Sequence, residues 1–328
     1  MAGMLTLGRL WQIVKEIDLE AIRRQAEAPM RVAVIAETAA GADDLAVLLA
    51  SGAPTAAAWV TAMDAGLASR LAGTAPGDPV VDGPDVVVLV TGPDPAAPSM
   101  KAVRQAWLDR HTPLLEVALG GGDGGRVTRL ARHRARIVLH GLRSEHVGLL
   151  AEGLLAVVEP DRRLALARQF PALRACAFST LIDETSKANA GYAFSTGIAE
   201  IVPVLGIPMT IGDTVVLTKN QLVMGYRIAL AAGRSGRPRD LIGEILGVLG
   251  GGLLFRQVAR QLIGLVPVIG IVPKVAVAYG GTWAIGRAVT LWATGGGRVT
   301  RARLRQLSRE GLRRGRAVAD ELRHTNRA

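Results

Sequence analysis

Apolar positions along the chain fall into two regimes. Up to about Pro160 they come as short continuous runs: RVAVIAE (31–37), DVVVLVTG (85–92), PLLEVAL (113–119) and RIVLHG (136–141). Runs of this length, rich in β-branched residues, predict strands buried on both faces. Between them TAAGADDLAVLLAS, PSMKAVRQAWLDRH, RVTRLARHR and SEHVGLLAEGLLAVVE predict helices. The stretch from Ser51 to Gly83, rich in Ala, Gly, Pro and Thr, shows no period and predicts loop. Strands alternating with helices predict a parallel sheet with helices on its faces.

Beyond Pro160 the strand signals vanish. DRRLALARQF starts a helix that Pro171 interrupts, and from Glu184 onward the pattern is helical and rich in Gly and Ala. Two charge-free corners, VPVLGIP at Val202–Pro208 and VPVIGIVP at Val266–Pro273, recur 64 positions apart. Proline ends a helix and glycine permits a reversal, so each corner predicts a helical hairpin. The corners carry no polar side chain and are expected to bury against each other, a partner or lipid. Before the first strand, Leu10, Ile13, Val14, Ile17 and Ile22 fall at helical intervals between charges. They predict an amphipathic helix rather than a secretory leader.

The expected organisation is therefore an N-terminal amphipathic helix (1–28), an α/β parallel-sheet domain (29–160), connecting helices (161–187), an all-α helical-hairpin domain (188–297) and a basic helical tail (298–328). The most apolar part of the second half is cut by Arg256, Arg260, Lys274 and Arg287. A bilayer-spanning helix needs about twenty mostly apolar residues, so none is expected.

Composition sharpens this picture in three ways. Hydrophobic residues make up 49% of the 328 but aromatics only 4%, so the core is aliphatic and apolar surface is left for a membrane or a partner. The net charge of +11 is uneven: from Arg298 to the end, ten arginines face Glu310, Asp320 and Glu321, giving +7. Such a tail suits an anionic surface. Leu304, Leu307, Leu312 and Leu322 would add apolar surface to it. A nucleic-acid partner is less expected, because the tail has no interleaved aromatics. Cys176 is the only cysteine, which excludes an internal disulfide and suits a reducing cytoplasm.

The strand–loop–helix near the N-terminus invites comparison with the phosphate loop G-x-x-x-x-G-K-[ST]. Placed on RVAVIAETAAGADDLA, the pattern begins at Ala36 and retains only Gly41. Ala42 stands where lysine should reach the phosphates, and Asp43 where a hydroxyl should hold magnesium. The order of pieces resembles an Era-like G domain over about 130 residues. DVVVLVTG is similar to the strand that ends in Asp in such GTPases, and TPLLEVALGGGD to the strand before the guanine-specificity motif. Neither its Asn nor its Lys is present. The resemblance implies a degenerate P-loop-like domain, a pseudo-GTPase without its nucleotide and without any other cofactor.

GGGDGG at Gly120–Gly125 satisfies G-x-G-x-x-G through Gly120, Gly122 and Gly125, after a strand and before an expected helix. That is the dinucleotide fingerprint, although five glycines in six residues match almost any glycine pattern. His133, His140, His146 and Cys176 lack zinc-ligand spacing. No metal site and no catalytic set are expected.

NQLVMGYRIALAAGR and LGVLGGGLLFRQVARQLIGLVPVIGIVPKVAVAYGGTWAIGRAV carry a stronger resemblance. They are similar to the bacterial helical domain of unknown function numbered six hundred and ninety-seven. That domain follows the G domain in a group of Era-like GTPases and ends the YcjF-type inner-membrane proteins. The match covers about Ala188–Thr294. It implies association with a partner GTPase and with the membrane.

The residues add their own reading. Gly243, Gly247 and Gly251, four apart, would give a smooth helix stripe for close packing and self-association. Arg256, Arg260 and Lys274 are available for ion pairs with Glu200, Asp213 and Glu244 or for lipid headgroups. Asn220 and Gln221 are expected to hydrogen-bond between helices. The function expected is that of a non-catalytic, membrane-proximal regulatory or scaffold protein, cytoplasmic and peripheral at the inner face of the cell membrane. It would act as a homo-oligomer or with a GTPase. The alternative is a nucleotide-binding protein or GTPase-like enzyme using the Gly120–Gly125 loop.

Overall fold

A computed structural model describes residues 12–72, 83–92, 98–120, 125–201, 211–248, 271–297 and 299–325. The chain forms two compact units, Arg24–Ala177 and Met1–Arg23 with Phe178–Ala328. The stretch expected as a connector, 161–187, thus divides between them.

The first unit holds α1 (Leu19–Glu27, shared with the other unit), β1 (Val32–Ala36), α2 (Ala39–Leu49), β2 (Val60–Asp64) and α3 (Ala65–Ala72). These are followed by β3 (Val86–Thr91), α4 (Pro98–Asp109), β4 (Leu114–Leu119), β5 (Thr128–Ala131), β6 (Arg134–Leu139), α5 (Val147–Val157) and α6 (Arg163–Gln169). The sheet order is β2-β1-β3-β4-β6-β5. All neighbours are parallel except β5, which is antiparallel to β6.

Alternate residues of each strand serve opposite faces. Val32, Val34, Val86, Val88, Leu115 and Val117 pack with α2, α5, α6 and Phe170. Ala33, Ile35, Val87, Leu89 and Leu114 pack with α3, α4 and the buried Trp107. The helix changes face when the chain changes direction across the sheet, as right-handed crossovers require. Every position of β1 and β3 is buried, which is why these runs show no alternation. The third expected helix, RVTRLARHR, is instead a hairpin. Residues 128–131 form the outermost strand, and 132–133 turn into β6. Ladder hydrogen bonds to β6 override the helix formers, and the turn lacks the Gly or Asn that would have marked it. The structure also places a strand, β2, within the expected loop 51–83.

The second unit contains α7 (Arg174–Ile201, begun in the first), α8 (Ile211–Ala231), α9 (Pro238–Val248), α10 (Ile271–Gly295) and α11 (Arg301–Thr325). The corner Val202–Pro208 and the first part of the other corner, up to Gly270, lie outside the described residues. Helix α10 is the axis of the unit: from Val275 to Gly286 every residue is buried, and it packs against α8, α9 and α11. A helix apolar all round belongs in such an interior or in a membrane. Among the described residues, no helix is long and apolar enough to cross a membrane.

Candidate functional site

In an open parallel sheet, ligands bind beyond the strand ends where the order of strands reverses. Here that point lies between the ends of β1 and β3. Only Glu37 and Thr38 separate β1 from α2. Thr38 is the N-cap, and its hydroxyl accepts the Gly41 amide at 3.3 Å. The loop has no length left over to wrap a phosphate, and one free amide of the helix end is already taken. Ala42 is wholly buried among the core residues of the sheet, so it faces away from this crevice. Asp43 and Asp44 are exposed.

Gly120 and Gly125 have φ of +121° and +120°, a region that favours glycine. Gly122 lies outside the described residues. The segment leads into strand β5, where the dinucleotide fingerprint requires a helix to receive the pyrophosphate. The helix expected after Gly125 is thus corrected to a strand, and the anion-binding helix end goes with it. His133 Nε2 lies 3.3 Å from Glu159, and its Nδ1 is 3.2 Å from the Val157 carbonyl. Among the described residues, no group of His, Cys, Asp or Glu could hold a metal ion.

One strongly charged feature of the sheet unit is structural. Glu116 on β4 is 1% exposed, and its carboxylate accepts hydrogen bonds from Arg134 at 2.8 Å and Arg136 at 2.6 Å. Arg104 of α4 stands 3.4 Å away. Burial alone would raise this carboxyl, but the two hydrogen bonds and the nearby arginine charges outweigh it and hold the pKa below its ordinary value.

The helical unit is locked by a buried polar network. Asn189 of α7 donates to the Thr282 hydroxyl of α10 at 2.8 Å, and Gln221 of α8 donates to the same oxygen at 3.0 Å. Asn220 donates to Asn189 Oδ1 at 2.8 Å, and Thr282 donates to the Ala278 carbonyl at 2.8 Å. The interhelix role expected of Asn220 and Gln221 is therefore seen. At one end of α10, Arg234 donates to the carbonyls of Trp292 and Ala293 at 3.0 and 3.3 Å and lies over the Trp292 ring at 4.7 Å. A cation there also complements the helix dipole.

Among the described residues, helix backbones meet at glycines outside the stripe read from the sequence. No described atom lies within 4 Å of a Cβ built at Gly243 or Gly247, both are exposed, and Gly251 lies outside the described residues. Spacing alone puts glycines on one face but does not say which face turns inward. Backbone meets backbone between α10 and α11. A Cβ on Gly280 would stand 2.6 Å from the Gly311 carbonyl carbon, and one on Gly315 would strike Ala276.

This contact decides what the basic tail is. Leu307, Ser308, Gly311, Gly315 and Ala319 make the inward face of α11, and Leu304, Leu312 and Leu322 are half-buried. The leucines expected to face lipid are thus largely spent on the unit's own packing. They recur at helical spacing, and α10 offers a small-residue groove to receive them. Arg301, Arg305, Arg309, Arg313 and Arg316 are all exposed. Steps of four and three residues keep them within a third of the helix circumference. At 1.5 Å per residue they form a ridge roughly 22 Å long. Among the described residues none of the five has a carboxylate partner. Arg256 and Arg260 lie outside the described residues. Lys274 is half-buried at the start of α10, and Glu244, one of its three expected partners, is exposed on α9.

No protein-family model, no curated protein and no solved structure matches the chain.

Proposed function

We propose that the protein is a non-catalytic, membrane-proximal scaffold whose helical unit docks on an anionic bilayer surface through the arginine ridge of α11. One observation carries this reading: the tail is a packed helix, with its apolar face against α10 and five exposed arginines in a row on the other side. Rigid presentation lowers the entropy lost on binding a flat anionic layer. The contact is chiefly electrostatic, because Leu307 is buried and the other three leucines are half-buried. The sheet unit would then be a degenerate G-like interaction module. Supporting that part are a strand-to-helix connection of two residues and alanine and aspartate at the lysine and hydroxyl positions. Self-association or pairing with a GTPase belongs to the same proposal.

Vesicle flotation tests it. Each arginine near an anionic leaflet contributes about 1 kcal/mol. The triple change Arg305→Gln, Arg309→Gln, Arg313→Gln should therefore weaken binding to phosphatidylserine vesicles roughly a hundredfold. Raising salt from 0.1 to 1 M shortens the Debye length from about 10 to about 3 Å, and should release the protein. Equal binding to neutral phosphatidylcholine vesicles, or no effect of the triple change, would refute the ridge. Tighter binding to a DNA duplex than to acidic vesicles would replace the membrane with nucleic acid.

A further inference from the structure

Helices α7, α10 and α11 enclose a second feature, a mostly polar cleft of about 490 Å³ on the helical unit. Two acids line it, and both are neutralised. Asp183 is paired with Lys187 at 2.7 Å and accepts the Tyr279 hydroxyl at 2.8 Å. Glu310 is paired with Arg314 at 3.1 Å. Two further arginines line the same cleft, Arg287 from α10 and Arg303 from α11. Arg303 donates to the amide oxygen of Gln306 at 2.7 Å. Arg287 lies over the Trp283 ring at 6.0 Å, and Arg314 lies over the same ring at 4.8 Å. Among the described residues, neither Arg287 nor Arg303 meets a carboxylate.

Arg287, on the wall of this cleft, is half-buried. A guanidinium partly withdrawn from water without a counter-charge is costly unless something anionic completes it. Arg303 of α11, itself exposed, faces the same polar space from another helix. The planar fork of each guanidinium matches the oxygens of an oxyanion, and paired forks suit a doubly charged one. Arg314 lies over the Trp283 face at 4.8 Å, a cation–π contact that helps to fix it, and Thr180 of α7 also lines the cleft.

We propose that this cleft is a phosphate-binding site, filled either by a soluble phosphate group or by the phosphate of a lipid headgroup. It does not depend on the arginine ridge. Titration calorimetry with inorganic phosphate, at constant ionic strength set by chloride, should show saturable binding to the full chain. Arg303→Gln and Arg287→Gln should each weaken it at least tenfold. Arg287→Lys, which keeps the charge but loses the fork, should weaken it less. If Arg287→Gln unfolds the unit by circular dichroism, Arg303→Gln decides, since that side chain is exposed. No saturable heat beyond that of chloride, or wild-type affinity in Arg303→Gln, would overturn the proposal.

Flotation separates the two sources. Preference for phosphatidic acid over phosphatidylglycerol vesicles of equal charge, lost in Arg303→Gln, assigns the site to a lipid headgroup. Phosphate binding without that preference assigns it to a soluble ligand. Vesicle binding with no phosphate binding would keep the ridge and sink the cleft. Phosphate binding with no flotation would do the reverse.

Discussion

At the scale of single residues, buried charge and buried hydroxyls give the sharpest expectations. Glu116 is the hub of three arginines, and removing one partner of a buried pair leaves the others uncompensated. Glu116→Gln should cost about 3 kcal/mol in urea denaturation. The pH dependence follows from the direction of its shift. The folded pKa lies below the ordinary value of 4.5. Its contribution is therefore complete above that value and is lost as the pH falls through the lowered folded one. The acid limb of the stability curve should flatten in Glu116→Gln, and an unchanged limb would show that other carboxylates govern it. Tyr279 has the opposite sign. Burial, then the hydrogen bond to Asp183, pushes its hydroxyl from 10.0 up to about 12. Its contribution is complete below pH 10 and is lost as the pH rises toward 12. Tyr279→Phe should lose about 1 kcal/mol at neutral pH and lack that alkaline loss. An identical alkaline limb in the variant would remove Tyr279 from the account.

Among the elements, the α10–α11 crossing shows how far a local rule can mislead. Alanine for glycine inside a helix gains about 1 kcal/mol by propensity. At Gly243, exposed and with no described atom within 4 Å, Gly243→Ala should keep that gain. At Gly280 the new Cβ would lie 2.6 Å from the Gly311 backbone, which cannot yield as a side-chain tip would. Gly280→Ala should therefore destabilise the unit by about 1–3 kcal/mol. Thermal unfolding of both variants decides it, and two stabilised variants would refute the close contact. The same element scale explains what sequence reading reached. VAVIA and VVVLVT declared themselves because strands buried on both faces leave uninterrupted apolar runs, and LLEVAL was legible as apolar but for Glu116. VTAMD, β2, is as long as β1 but was not legible because it is half-exposed and carries polar positions. TRLA, β5, is exposed at every position and so carries no burial signal. The tail's arginines were visible, but not that its small-residue face packs against α10. That depends on Gly311 and Gly315 meeting Ala276 and Gly280, a long-range match that spacing within either helix does not reveal.

At the scale of the whole molecule, the segment before the sheet domain belongs with the helices after it, which neither sequence half announces. Residues 12–23 belong to the same compact unit as the helices after Phe178, across the entire sheet domain in sequence. Ile13 and Val14 are 3% and 4% exposed, and Glu16 lies 3.6 Å from Lys219 of α8. That ion pair is well exposed and contributes little. The two aliphatic side chains carry the attachment, each worth about 1.5–3 kcal/mol when fully buried. A chain beginning at Asp18 should therefore lose about 3 kcal/mol or more from the helical unit. The sheet core, built from Val32 onward, does not depend on Ile13 or Val14. Hydrogen exchange resolves the two effects within one sample. Amides of α8 and α9 should exchange faster in the shortened chain, while those of β1, β3 and β4 keep their protection. Uniform loss of protection would mean that the two units unfold as one. Unchanged exchange in α8 and α9 would show that the segment is an appendage whose burial adds nothing to the helical unit.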